Sequence, residues 1–124
     1  MRFIESDNLP LAIGTYSPAV IANGFIYSSG QIPVTLDGTM IERDIEVQTR
    51  QVLTNLRTLL EDAGSGMENV IKISIYLENI DNFDIVNVLF SETFGEHKPA
   101  RSTISVNGLP KNAMIMVDAI ALAN

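Results

Sequence analysis

The sequence predicts an α+β domain in which two helices lie on one face of a mixed β-sheet. Three observations indicate this class. Two segments carry apolar residues at helical spacing, the segments around them resemble strands, and turn-forming residues separate the two kinds of segment. A chain of 124 residues, 46% of them hydrophobic, fits a single domain over residues 1–124 with its own core.

The first predicted elements are two short strands joined by a tight turn. Residues 20–22 and 25–29 are short, largely apolar segments, and Asn23 and Gly24 stand between them. Asn-Gly favours a two-residue hairpin turn, because both of its positions accept a positive φ. We therefore expect a β-hairpin here.

Residues 44–63 are predicted to form the first helix. Asp44 can cap its start, and Gly64 stands where a C-terminal glycine belongs. The polar residues fall mostly off the apolar stripe, as for Arg50, Asn55, Arg57 and Glu61. The stripe itself has helical spacing and consists of Val52, Leu53, Leu56, Leu59, Leu60 and Ala63.

A strand and a second helix follow. Val70–Leu77 alternates, which predicts one face with Ile71, Ile73, Ile75 and Leu77 and another with Lys72, Ser74 and Tyr76. Residues 82–94 are predicted to be helical, with Asp81 as the cap and Gly95 as the stop. The apolar face of that helix would carry Phe83, Val86, Leu89, Phe90 and Phe94.

The last two predicted strands are residues 103–106 and 113–123. The final strand is apolar on both faces except at Asp118, which is typical of a strand covered on both sides. Two helices cover only one face of the sheet, so we expect a second copy of the chain to cover the other. The prediction is a homo-oligomer packed through its sheets.

Composition excludes several classes of function. The chain has no cysteine, which rules out disulfides, thiolate metal sites and thiol nucleophiles, and its single histidine cannot form a two-imidazole site. A net charge of −7 disfavours nucleic acid as a partner. No apolar run is long enough for a membrane span. We therefore expect a cytoplasmic protein, without a metal or cofactor.

Four residues are candidates for chemistry. Arg101, in KPARST before the predicted strand, could bind a carboxylate through two parallel hydrogen bonds or be a solvated surface charge. Ser29 and Gly30 end a short strand, where a hydroxyl can reach a cleft, although Ser-Gly there is more often a turn. Tyr16 lies in a polar loop, where packing at an interface is the commoner role.

Two further titratable residues have simpler explanations. Asp118 interrupts an apolar strand, so it should be paired or have a raised pKa. A structural pair is the plainer interpretation, and an acid or base in a site is the sharper one. His97 lies in the loop GEHKPAR and is expected to be solvated.

The chain resembles the reactive-intermediate deaminase family, also called Rid or YjgF and in places endoribonuclease L-PSP. The segments that carry the resemblance span most of the chain, in the family's order: IGTYSPAV, YSSGQIPV, QTRQVLTNLRTLLEDAG, VIKISIYLENIDNFDIVNVLF and PARSTISVNGLPK. It implies a chorismate-mutase-like fold with a mixed six-stranded sheet and two helices on one face. It also implies a homotrimer, with sites in clefts between subunits.

The resemblance further implies hydrolysis of 2-aminoacrylate and 2-iminobutanoate to 2-keto acids and ammonia. Arg101 matches the carboxylate-binding arginine of the family, and Thr103 matches a position whose backbone N–H helps to hold the carboxylate. Ser29 and Tyr16 match residues that bind substrate and water, and the carbonyl of Gly30 matches an acceptor for the imine nitrogen.

One position departs from the family pattern. Met116 stands where deaminases of the family have a water-orienting glutamate, and Asp118, two residues on, retains the second acid of that pattern. Because general acid–base help contributes about 100- to 10,000-fold, we expect slower hydrolysis.

Three alternatives remain. A non-catalytic protein could bind a 2-keto acid or amino acid in the same cleft. A ribonuclease is disfavoured by the net charge, and a chorismate mutase rests on fold analogy alone.

Overall fold

The computed structural model describes residues 1–10 and 16–124, and over these residues it has six strands and two α-helices. The sheet is mixed, with the order β1-β2-β3-β6-β4-β5, and only β4 and β5 run parallel. The predicted α+β class is confirmed. Neither helix has the length and apolar composition that crossing a membrane requires, among the residues described. The strands are β1 (Arg2–Ile4), β2 (Ala19–Ala22), β3 (Phe25–Ser28), β4 (Val70–Leu77), β5 (Ala100–Ser105) and β6 (Ile115–Leu122), and the helices are α1 (Ile45–Asp62) and α2 (Phe83–Phe94).

The hairpin of β2 and β3 forms as predicted. Asn23 and Gly24 take φ of 53° and 82°, the left-handed values that a type I′ turn needs. The strand β1 was not predicted from the residue pattern, because three residues are too few to show alternation. It pairs with β2, and its Ile4 is buried.

Helix α1 begins and ends where its sequence signals indicate. The carboxylate of Asp44 accepts from the Val47 N–H at 3.0 Å, and Gly64 follows the helix with φ of 82°. Asn55 is buried, and its amide donates to the carbonyls of Ile32 (3.1 Å) and Val34 (3.0 Å). The helix thereby anchors the segment that follows β3.

The predicted cap of α2 was wrong. Asn82 precedes the helix without a side-chain hydrogen bond, and Asp81 lies in a short 3₁₀ turn whose cap is Asn79. Asn79 accepts from the Asp81 N–H at 3.0 Å, so the Asx side chain two residues earlier takes the capping role. Gly95 ends the helix with φ of 60°, as predicted.

Over the residues described, the helices cover one face of the sheet and leave the other, the open face, uncovered. In β6 the residues toward the helices are fully buried, whereas Met116, Asp118 and Ile120 are half-buried on the open face. Within a single chain the last strand is therefore covered on one side only, over the residues described, and cover of its other side by a second copy stays a prediction. The open face also carries exposed apolar side chains, at Phe3, Tyr27, Ile104 and Leu122.

The alternation of β4 breaks at its start. A register shift between Val70 and Lys72 buries Val70 and leaves Ile71 39% exposed. Ile71 was predicted to share the face of Ile73, and a β-bulge accounts for the difference.

Candidate functional site

Arg101 lies inside a strand rather than before one. Strand β5 begins at Ala100, three residues earlier than predicted, and pairs Arg101 with Ile73. Because Ile73 is buried under the helices, Arg101 also points to the helix side, where its Cζ lies 5.4 Å from the ring centroid of Phe83. Its side chain is exposed, and no described carboxylate lies within ion-pair distance of it. The guanidinium is thus open to an anionic ligand.

Thr103 follows Arg101 on the same face of this edge strand. The N–H of Val106 donates to the carbonyl of Leu77 in β4 at 2.9 Å. Backbone groups alternate in direction along a strand, so the N–H of Thr103 points away from β4, toward the open edge. The Thr103 hydroxyl is buried and has no hydrogen-bond partner among the residues described.

A cavity of about 370 Å³ lies beside Arg101, between the start of β5 and helix α2. Asn87, Phe90 and Phe94 from α2 line it, together with His97 from the following loop. The sequence predicts a solvated His97. The structure instead places its Nε2 2.7 Å from the carbonyl oxygen of Val70, within hydrogen-bond distance. We call this space the Arg101 cavity.

A second space, the Met116 cavity, lies on the open face and has a volume of about 350 Å³. Three predicted site residues, Tyr16, Ser29 and Gly30, line it with Ile32, Pro110 and Met116. The structure therefore brings the serine, the tyrosine and the glycine together. Residues 13–15 of the IGTYSPAV segment lie outside the described residues.

The hydrogen bonds of Ser29 restrict what it can do. Its hydroxyl donates to the carbonyl of Ser17 at 2.6 Å, and its N–H donates to the carbonyl of Pro18 at 2.8 Å. Both donors are committed, so toward a ligand the hydroxyl oxygen can act only as an acceptor.

Gly30 and Met116 are in close approach. A Cβ built on Gly30 would stand 2.6 Å from the sulfur of Met116, closer than real side chains approach. The absence of a side chain at Gly30 therefore makes room for the thioether.

Asp118 has a hydrogen-bond partner on the open face. The hydroxyl of Tyr76 donates to its carboxylate at 3.0 Å across the β4–β6 pair. Burial, with the hydrogen bond to Asp118 and its charge, raises the pKa of Tyr76. Asp118 is not among the described residues that line the Met116 cavity, so its geometry fits the plainer interpretation, a structural pair.

A third cavity, of about 420 Å³, adjoins the Met116 cavity. The two cavities share Tyr16, Ser29 and Gly30 as lining residues. Lys111 also lines this cavity and donates to the carbonyl of Gly38 at 3.1 Å. Hydrogen bonds from Thr35 and Thr39 lower the pKa of Asp37 there.

A single chain does not bring the two groups of predicted site residues together. Gln31 bridges to Val117 of β6, and β4 lies between β6 and the edge strand of Arg101. Three strand spacings amount to about 14 Å, and Met116 and Arg101 point to opposite faces. The described residues contain no cluster of three or more histidine, aspartate or glutamate side chains that could hold a metal.

Sequence reasoning did not place Phe83 and Asn87 in a site. Phe83 was assigned to the apolar face of its helix, but it is 37% exposed beneath Arg101. Asn87, one turn on, lines the Arg101 cavity. Helical spacing predicts that Asn87 lies on the same helix face as Phe83. Only the register of β5 shows that Arg101 lies beside that face.

Comparison with known proteins identifies relatives over almost the whole chain. The family model described as Endoribonuclease L-PSP matches residues 6–123. A RutC family protein of Pyrococcus horikoshii is 43% identical over 119 residues, which are 95% of this chain and 94% of that protein. A protein of unknown function of the conserved Rid family from Yersinia pestis, YyfA, superposes with a TM-score of 0.96 at 44% identity, over 98% of each chain.

A third relative was solved with a ligand. The structure of Escherichia coli TdcF with bound serine superposes with a TM-score of 0.93 at 30% identity, over the full length of both chains. These similarities confirm the sheet of six strands with two helices.

Proposed function

We propose that this chain, which belongs to the Endoribonuclease L-PSP family of Rid and YjgF proteins, hydrolyses small 2-imino and enamine carboxylates to 2-keto acids and ammonia. The observation that carries the proposal is the guanidinium of Arg101, which is exposed at an edge strand, lies over the ring of Phe83 and has no ion-pair partner among the described residues. Such a guanidinium suits a ligand carboxylate, which accepts two parallel hydrogen bonds from it.

The chemistry needs few groups from the protein. An enamine first tautomerises to the imine, as its carbon gains a proton and its nitrogen loses one. Water then adds to the carbon of the C=N bond and gives one proton to the nitrogen. The hydroxyl of the resulting carbinolamine passes its proton to the nitrogen as the C–N bond breaks, which releases ammonia and leaves the ketone. Arg101 and the outward N–H of Thr103 would hold the carboxylate. Ser29 would accept a hydrogen bond from the water or from the imine N–H, because its own donors are committed. Holding both reactants makes the attack effectively intramolecular.

We further propose that the complete site forms between copies of the chain in a homotrimer. Arg101 and Thr103 would come from one copy, and Tyr16, Ser29 and Gly30 from its neighbour. Two observations support this arrangement. The two groups lie about three strand spacings apart in one chain, and none of the described segments covers the apolar open face.

Met116 argues for slow turnover. No carboxylate lines the Met116 cavity among the described residues, and a thioether is too weak a base to take a proton from water. The same observation favours a second candidate function, in which the chain binds a 2-keto acid or amino acid without converting it. The serine-bound relative is consistent with either function.

Two measurements on the same protein separate these functions. Release of 2-ketobutyrate from freshly generated 2-iminobutanoate reports turnover, and calorimetric titration with 2-ketobutyrate reports binding. Arg101→Ala is expected to abolish both signals. Arg57→Ala, which removes the same charge from the exposed side of α1, serves as the control and should change neither.

The outcomes distinguish the candidates. Turnover above the uncatalysed rate that depends on Arg101 supports the hydrolase. Saturable binding without turnover supports the binding protein, and neither signal in the wild type refutes both.

A further inference from the structure

We propose that the Met116 cavity receives an aliphatic side chain, so that the preferred ligands are 2-imino and 2-keto acids with unbranched chains of about five or six carbons. This inference rests on the proposed function and specifies its substrate class. Its basis is the composition, size and packing of the cavity around Met116.

The lining of the cavity combines two polar side chains with an apolar wall. Tyr16 and Ser29 supply the polar atoms, whereas Ile32, Pro110 and Met116 present hydrocarbon and a thioether. None of these lining residues carries a charge at neutral pH. A ligand hydroxyl or carboxylate against that wall would lose its water without gaining a hydrogen bond, which is unfavourable. A methylene group there is favoured instead, because it leaves water.

The size of the cavity exceeds what the smallest substrates need. A volume of about 350 Å³ corresponds to about twelve water-sized groups at roughly 30 Å³ each. 2-Iminobutanoate has only seven non-hydrogen atoms, and its carboxylate would lie against Arg101 rather than in this space. Several further carbons can therefore be accommodated.

The packing of Met116 makes the wall a defined surface. The sulfur occupies the space that a side chain on Gly30 would need, so the thioether lies against the backbone beside Ser29. Asp118, the nearest acid along the strand, is bound by Tyr76 and lines no part of the cavity among the described residues. Methionine also adapts its shape to a neighbouring chain more readily than a branched residue does.

The test is a binding series with a single head group. Calorimetry would measure Kd for 2-ketobutyrate (2-oxobutyrate), 2-oxopentanoate and 2-oxohexanoate. It would also measure Kd for 2-oxoglutarate, which has five carbons and a terminal carboxylate. We expect Kd to fall about fourfold per added methylene. We expect 2-oxoglutarate to bind at least tenfold more weakly than 2-oxopentanoate.

Two variants assign the preference to Met116. Met116→Gln keeps the length of the side chain but makes it polar, so the dependence on chain length should flatten to less than twofold per methylene. Met116→Leu keeps an apolar wall and should retain the dependence, which also controls for misfolding. Arg101→Ala should weaken every member of the series.

The possible results separate this inference from the proposed function. If the acids bind through Arg101 with equal Kd, or if Met116→Gln leaves the dependence unchanged, the inference is overturned and the proposed function stands. If no 2-oxo acid binds to the wild-type protein, the proposed function fails and the inference fails with it.

Discussion

The guanidinium of Arg101 lies over the ring of Phe83, with 5.4 Å between Cζ and the ring centroid. The contact joins an edge strand to the first residue of helix α2. A guanidinium over an aromatic face is attracted by the ring without using up any of its N–H donors. The aromatic ring therefore orients the arginine without competing for the hydrogen bonds that a carboxylate needs.

This contact predicts that Phe83 tunes ligand affinity through Arg101. Phe83→Leu should weaken the binding of 2-ketobutyrate by about two- to fivefold, the range expected for a partly exposed cation–π contact. Phe83→Tyr retains the ring face and should bind as the wild type does. Calorimetric titration of the three proteins checks this, and equal affinity in the leucine variant would contradict an orienting role for the ring.

The close approach of Gly30 and Met116 predicts energetic coupling between them. Gly30→Ala should destabilise the fold, because the new Cβ displaces the Met116 sulfur. Met116→Ala should remove that conflict, so its cost should be smaller in the Gly30→Ala background than in the wild type. Urea denaturation of the four proteins measures the coupling, which should be about 0.5 kcal/mol or more. Simple additivity would show that the two residues do not compete for space.

Local signals explain which parts of the fold could be predicted. Asp44 and Gly64 bound α1, and Asn23–Gly24 forms the hairpin, because each acts through backbone groups within a few residues. The start of β5 was missed, since an edge strand with mostly exposed residues shows no alternation. Arg101 was therefore assigned to a loop.

The site was predictable as a set of residues but not as an arrangement. Resemblance to the family named Arg101, Thr103 and Ser29, and their roles remain predictions. Their placement depends on the pairing of distant strands, which no local pattern encodes. The β4–β5 register turns Arg101 toward Phe83. The bridge from Gln31 to β6 brings the segment with Ser29 and Gly30 beside Met116.

Tyr76 should titrate late because of its burial and the neighbouring Asp118. Burial and the neighbouring carboxylate raise its pKa above the ordinary 10.0. The unfolded phenol ionises first, so this contribution to stability is complete below about pH 10 and is lost as the pH rises through the folded pKa. Phenolate absorbance should show a late step that Tyr76→Phe removes, and Asp118→Asn should lower that pKa. An unchanged step in the asparagine variant would show that Asp118 does not influence the phenol.

Met116→Glu should raise the rate of imine hydrolysis, because a carboxylate beside Ser29 can orient water and accept its proton. General acid–base groups contribute about 100- to 10,000-fold, and an increase of at least tenfold is expected. Met116→Gln has the same shape without the charge and should give no increase. Coupled assays of 2-ketobutyrate release compare the three proteins. Equal rates in the glutamate and glutamine variants would exclude a role for the charge.

A site shared between copies predicts that two inactive variants restore each other. Arg101→Ala and Ser29→Ala should each lose most activity alone. After the two are mixed, unfolded and refolded together, about a quarter of the sites should combine an intact Arg101 with an intact Ser29, because random assembly draws each half independently. The Arg101/Ser29 double variant, refolded with wild-type protein at the same ratio, should also leave about a quarter of the sites complete. Activity in that control, but none in the mixture of single variants, would show that both residues act within one chain.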